Sequence, residues 1–339
     1  MRNFLERIRE QILVGDGAIG TMLYGKGVRL EAGFERLNLL EPPLVLDLHR
    51  EYAAAGAQVI ETNTFGANRL RLEQLGLDAM TREINLQGAI LARQAVAGKD
   101  IAVAGSLGPL PRFRGEGDGP PESILESYRE QAAALVEGGV DLLLLETFAD
   151  LEQLKSALAA VLPFGIPVVA SMAFLERGRI PGGMAVERVA QELAAAGADC
   201  VGANCGAGTL EMTRTIQRMA TATELPLLAY ANSGFPEYVD GRYLYRTTPE
   251  YFAERGLETA RAGANLVGGC CGTTPEHIRV LAERLRSLRP VPRVIAMTAS
   301  PEPEQPAGPG RGGFLSGWGR KQVITVELDP PKGLDCGWV

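Results

Sequence analysis

One phrase returns four times along this chain: AAAGAQVIET from Ala53, VEGGVDLLLLET from Val136, AAAGADCVGAN from Ala194 and ARAGANLVGG from Ala260. Each copy reads as a helix end, a glycine (Gly56, Gly139, Gly197, Gly263) and a short apolar run. Glycine suits the position just past a helix because it takes positive φ without steric cost. The run after it is too short for another helix and too continuous for a half-exposed strand. It fits a parallel strand buried on both faces.

Extending the pattern predicts strands near 11–16, 57–63, 100–106, 141–146, 167–173, 199–204, 225–231 and 264–269. Helices follow near 41–55, 80–97, 122–138, 150–161, 185–196, 208–222, 248–262 and 275–288. Asp150 and Thr274 stand as N-caps of two of them, the latter with Pro275 at the first helical position. Eight strand–helix pairs in under 300 residues predict an α/β fold of the (β/α)8 TIM-barrel class. A doubly wound open sheet is the alternative, and GDGAIG (15–20) superficially offers the glycine-rich turn it would need.

The barrel is expected over residues 1–289. Residues 290–320 are dense in proline and glycine and read as a linker, and 321–339 resume a strand-like run too short to be a domain.

A net charge of −7 without basic clusters argues against a nucleic-acid surface, and no run of about 18 apolar residues suggests a membrane span. Hydrophobic residues at 46% and charged ones at 22% allow a substantial core. The N-terminus lacks the apolar stretch of a signal peptide. Five unevenly spaced cysteines do not make a disulfide framework, so a cytoplasmic protein is expected, with clustered thiols used for metal or catalysis.

Barrel active sites lie at the C-terminal ends of the strands. Cys205 follows the sixth strand, and Cys270 and Cys271 follow the eighth, ringed by Gly268, Gly269 and Gly272. Neighbours in a strand point to opposite faces, so this pair shares one ion only if the chain turns there, and the glycines permit that turn. Three thiolates around one position suit Zn²⁺ with a fourth tetrahedral place left open. A lone cysteine is more often a small buried hydrophobe. That reading suits Cys200, on the other face of its strand, while Cys336 in the tail is incidental. His277 is expected on a helix surface.

VGANCG (201–206) with GGCCGTTPEHI (268–278) resembles the homocysteine S-methyltransferases. The likeness runs from about residue 10 to 288 and includes GDGAIGTML, IETNTFGAN, GSLGP, LLETF and ANSG. It implies that one Zn²⁺, on Cys205, Cys270 and Cys271, takes the homocysteine sulfur as its fourth ligand, and that this thiolate attacks a methyl donor to give methionine. It implies Asp16 and Glu146 for the substrate ammonium, and the N–H groups around Gly17 and Ala18 for its carboxylate. Asn232 is expected either at the fourth metal position in the empty enzyme or on polar groups of the substrate. Glu61 and Asn63 line the rim without individual roles. S-methylmethionine, S-adenosylmethionine, methylcobalamin and methyltetrahydrofolate all stand as methyl donors. Betaine would want an aromatic cage, for which Tyr230, Phe235 and Tyr238 are thin material. The tail phrase VITVELDPPKG resembles the start of methylenetetrahydrofolate reductase, implying a fused reductase-like domain in a longer protein. The other class of function is a non-catalytic module that binds zinc and homocysteine for another domain.

Overall fold

A computed structural model of the chain describes residues 3–29, 33–111, 121–174, 178–180, 183–206, 208–234, 237–239 and 242–295. Most of the expected linker, the whole tail and Cys336 lie outside them.

The eight predicted pairs are present. They are β1 (Leu13–Val14) and α1 (Pro42–Ala55), β2 (Val59–Glu61) and α2 (Thr81–Ala95), β3 (Ala102–Leu107) and α3 (Pro121–Glu137), β4 (Leu142–Phe148) and α4 (Leu151–Val161). Then come β5 (Val168–Met172) and α5 (Val186–Ala195), β6 (Cys200–Asn204) and α6 (Gly208–Met219), β7 (Leu227–Ala231) and α7 (Pro249–Arg261), β8 (Leu266–Gly269) and α8 (Pro275–Leu285). All strands pair parallel in the order β1-β8-β7-β6-β5-β4-β3-β2. A bridge between Gly15 and Val59, with Asp16 N–H on the Val59 carbonyl at 3.0 Å, joins the two ends. The open-sheet alternative falls. GDGAIG does spell the full dinucleotide-type glycine spacing, yet here it is the first loop of a (β/α)8 barrel.

The four repeat glycines explain the regularity. Gly56, Gly139, Gly197 and Gly263 have φ of 101°, 86°, 97° and 121°, each just past a helix and just before a buried strand. Asp150 caps α4 by accepting the N–H groups of Glu152 and Gln153 at 2.9 and 3.2 Å. Thr274 caps α8 in a reciprocal box with His277, whose Nε2 meets the Thr247 carbonyl at 2.9 Å. His277 is therefore buried helix-capping structure and not the surface residue expected.

Two apolar layers result. Side chains facing outward from the strands pack beneath the helices. Inward-facing ones, among them Leu13, Leu144, Val169, Leu228 and Cys200, fill the barrel. Cys200 is fully buried, as expected. A helix at Phe4–Glu10, which the polar N-terminal sequence did not announce, sends Phe4 and Ile8 into the barrel interior cluster. Asn265, at the start of β8, donates to the Ile8 carbonyl at 3.1 Å, so this helix covers the end of the barrel opposite the strand C-termini. A hairpin of Glu237–Val239 against Arg242–Leu244 follows β7 and was also unforeseen. Among the described residues no helix is long and apolar enough to cross a membrane.

Candidate metal and substrate site

The register places the thiol-bearing loops side by side. Asn204 at the end of β6 pairs with Tyr230 of β7, and Gly269 at the end of β8 pairs with Ala231. Cys205 leaves β6 in the left-handed region, at φ 59°, with its N–H on the Tyr230 carbonyl at 3.0 Å. On the other side Cys270 donates to the Ala231 carbonyl at 2.8 Å, and the Cys271 carbonyl accepts Ser233 N–H at 2.9 Å. The loops after β6 and β8 are thus both fastened to β7 and its following residues. Gly272 turns the chain away at φ 79°, and a Cβ there would lie 2.1 Å from the Tyr245 ring. That turn lets two consecutive cysteines face one point.

The three Sγ atoms lie within 4.8 Å of one another, and Cys205 and Cys271 are 3.9 Å apart. A tetrahedral zinc–thiolate centre with Zn–S of about 2.3 Å spaces its sulfurs about 3.8 Å apart. The arrangement fits a metal ion, and the three thiols are free of disulfides. Without an ion, the cluster shares protons. Hydrogen bonds from Cys205 and then Cys270 hold Cys271 down at about 3. Its thiol hydrogen bonds to Cys205 and Cys271, with burial, push Cys270 up. Asn232 Oδ1 accepts from Cys205 Sγ at 3.3 Å, while its Nδ2 donates to the Gly206 carbonyl at 3.2 Å. Asn232 thus stands beside the metal cluster.

These thiols open onto a cavity of about 940 Å³ whose wall includes Gly17, Ala18, Glu61, Asn63 and Glu146. Asp16 lies just behind that wall, fully buried. Its Oδ2 accepts Glu61 N–H at 2.9 Å, and its Oδ1 has no partner. Glu61 Oε1 and the Tyr230 hydroxyl are likewise buried and unpartnered. Burial raises the pKa of Asp16 and of Glu61, and of Glu146 to about 7, with their mutual repulsion adding to the rise for Asp16 and Glu61. No cation among the described residues forms an ion pair with these three carboxylates, and burial favours their protonated forms.

The structure treats the other expected contacts unequally. Ala18 N–H is already engaged by Thr273 Oγ1 at 3.0 Å, so it is not free to receive a carboxylate as expected. Gly17 keeps its place because a Cβ would strike Thr273 Oγ1 at 2.6 Å and Tyr52 at 2.9 Å. Asn63 donates to the Phe34 carbonyl at 2.8 Å and to Asn38 Oδ1 at 3.0 Å, a bracing arrangement that leaves its amide nitrogen committed. Of the three aromatics considered for a cage, Tyr230 is buried beside Gly15 and Gly268, and Phe235 and the Tyr238 side chain lie outside the described residues.

Sequence reasoning missed Asn204 and Thr273. Asn204 joins the ends of β4, β5 and β6 through four hydrogen bonds. Thr273 ties the loop after β8 to the loop after β1. Each sits beside a residue already singled out, and only the three-dimensional partners distinguish it.

Comparison with known proteins agrees with this geometry. Residues 13–285 match the homocysteine S-methyltransferase family. The methionine synthase of Mycobacterium leprae is 32% identical over 299 residues, covering 83% of this chain and 25% of that protein. That of Mycobacterium tuberculosis is 31% identical over 317 residues, covering 88% and 26%. The chain thus spans about a quarter of the length of these relatives. Among solved structures, the homocysteine methyltransferase MmuM from Escherichia coli in its metallated form superposes with a TM-score of 0.68 at 27% identity, over 81% of this chain and 96% of that one. With its fold, its rim of three thiols and a match running from β1 to the end of α8, this chain belongs to the homocysteine S-methyltransferase family.

Proposed function

We propose that the chain methylates homocysteine at a zinc centre held by Cys205, Cys270 and Cys271, giving methionine. The observation that carries this reading is the convergence of three sulfurs from two rim loops, within 4.8 Å of one another, at a cavity whose wall includes the carboxylates of Glu61 and Glu146. When bound, zinc supplies an open fourth position at which a substrate thiol is kept as thiolate. Free thiols ionise near 8.5, so without that help only a few per cent would be nucleophilic at neutral pH.

The chain's own residues hold and orient the amino acid. Glu146 and Glu61 line the cavity and take the ammonium group, with Asp16 behind them adding negative charge. Asp16 holds the Glu61 backbone through its Oδ2, and its other oxygen, Oδ1, is buried without a partner behind that wall. The substrate carboxylate rests near Gly17, which lines the cavity. Asn232 holds the Cys205 thiol through its Oδ1 and remains close enough to meet an incoming sulfur. Alignment of that sulfur with the methyl group contributes to the rate by fixing the attack geometry. The methyl donor is drawn from S-methylmethionine, methylcobalamin and methyltetrahydrofolate, and the donor panel below tells them apart.

We also propose that residues 290–320 link the barrel to a reductase-like module that begins at 321–339, and that the protein is cytoplasmic. The first rests on the tail phrase, the second on the cysteine usage.

Metal analysis of protein purified without chelator is expected to find about one zinc per chain. A panel of donors under anaerobic, zinc-replete conditions is expected to yield methionine with at least one of them. A Cys271→Ser protein that keeps full zinc and full turnover would refute the scheme. Tight homocysteine binding with no methionine from any donor would favour the non-catalytic module.

A further inference from the structure

Among the described residues only two other than glycine have positive φ, Thr147 at 62° and Cys205 at 59°. For a β-branched residue such as threonine this conformation is strained. Thr147 follows Glu146 and Cys205 follows Asn204, so both strained residues stand next to the Asn204–Glu146 pair.

The Asn204 side chain is 1% exposed and uses its full bonding capacity. Its Oδ1 accepts from Thr147 N–H at 2.8 Å and from the Ser171 hydroxyl at 2.7 Å. Its Nδ2 donates to Glu146 Oε2 at 3.2 Å and to Thr147 Oγ1 at 2.6 Å. The orientation of the amide is not open to exchange. A backbone N–H can only donate, so the oxygen must face Thr147 N–H, and the NH₂ end is thereby turned onto the Glu146 carboxylate. Ser106 donates to the other oxygen, Oε1. Glu146 is held from two sides by donors, in the form that a cation would seek.

We propose that Asn204 is a positioning residue for the methyl transfer: its amide aims the Glu146 carboxylate at the substrate ammonium while holding the β4 end to the β6 end from which Cys205 departs. This rests on the reading of Glu146 as an ammonium ligand. Asn204 touches neither homocysteine nor metal in this scheme and acts through its neighbours. The strained Thr147 follows from this arrangement, kept at its conformation by both ends of the Asn204 amide.

The test compares zinc-loaded wild type, Asn204→Ser, Asn204→Ala, Glu146→Gln and the Asn204→Ser/Glu146→Gln double variant. Calorimetric titration measures the affinity of each for homocysteine and for 4-mercaptobutanoate, the same thiol acid without the amino group. Wild type is expected to prefer homocysteine by about 10- to 100-fold, the scale of a bond to a charged group. Asn204→Ser should lose most of that preference while keeping its zinc and its affinity for 4-mercaptobutanoate. In the Glu146→Gln background the same change should make little further difference. Should Asn204→Ala not fold, the shorter but still polar serine variant carries the test. If Asn204→Ser keeps the wild-type preference, or weakens both thiols equally, the positioning role is overturned and the residue is merely structural. If wild type itself shows no preference for the amino group, the reading of Glu146 fails and this proposal with it.

Discussion

Thr273 Oγ1 accepts the N–H of Ala18 at 3.0 Å and donates to the Cys270 carbonyl at 2.7 Å, joining the cysteine-bearing loop after β8 to the loop after β1 through one hydroxyl. Tyr52 reinforces the junction by donating to the Ala18 carbonyl at 2.7 Å. A Thr273→Val change keeps the shape and removes the hydroxyl. The Cys270 carbonyl retains Thr273 N–H at 3.2 Å, but Ala18 N–H is left buried without a partner. The expected loss of stability is about 2 kcal/mol, measured by denaturant unfolding of zinc-free protein. Thr273→Ser should recover most of it.

Gly272 is the turn that lets Cys271 face its partners. Gly272→Ala adds a methyl at φ 79° and drives it into the Tyr245 ring at 2.1 Å. The conformational cost alone is about 1 kcal/mol, and the clash must be relieved by moving either the ring or the metal loop. The expected result is a zinc content well below that of wild type by elemental analysis. Adding Tyr245→Ala should restore part of the metal and not all of it, because the space is recovered and the strained φ is not.

The barrel was legible because its signal is periodic. Gly56, Gly139, Gly197 and Gly263 mark helix ends that local chemistry alone dictates, and each precedes a strand buried on both faces. The cysteines were legible because a vicinal pair among glycines has few structural uses. Asn204 was not, since an asparagine at a strand end looks the same whether it faces solvent or closes four buried hydrogen bonds. Phe4 and Ile8 were hidden for a related reason. Their helix is polar on one side, and the surface they cover, the open end of the barrel, exists only after distant strands have come together. Ala18 shows the converse limit: the acceptor of its N–H lies 255 residues away, and nothing in the GDGAIG phrase announces it.

Thiol accessibility should report the metal directly. Cys205, Cys270 and Cys271 are half-buried at the cavity, whereas Cys200 is enclosed in the barrel and its thiol is pushed well up by burial. In zinc-loaded protein a chromogenic disulfide reagent is expected to leave the three cluster thiols almost untouched. Removing zinc with a chelator under reducing conditions, then the reductant, should add three reactive thiols, Cys271 the fastest because its neighbours' hydrogen bonds keep it ionised. Cys200 should react only on unfolding. A metal-free protein with no gain in reactive thiols would contradict the placement of the cluster.

Glu146 links stability to function through its proton. Burial raises its pKa from the ordinary 4.5 to about 7 in the metal-free fold, with Ser106 and Thr147 opposing that rise through hydrogen bonds. A carboxyl raised in the folded state binds its proton more tightly there than in the unfolded chain. Its contribution to stability is therefore fully present below about pH 4.5 and is lost as pH rises through about 7. The difference corresponds to about 3 kcal/mol for a fully buried group. Asp16 and Glu61 are raised in the same direction, so the three carboxyls share one sign. Glu146→Gln removes the titration while preserving the shape. Metal-free Glu146→Gln is expected to be more stable than wild type at pH 8, by up to about 3 kcal/mol, with the gap closing near pH 5. Homocysteine should reverse that order. Its ammonium group favours the ionised carboxylate, so wild-type affinity should rise as pH climbs through 7, and the glutamine protein should bind more weakly with a flatter profile. Denaturant unfolding and titration calorimetry across pH 5 to 8 measure the two effects separately. A glutamine variant that is less stable than wild type at pH 8 would show that Glu146 is held by the fold itself and not kept ready for a cation.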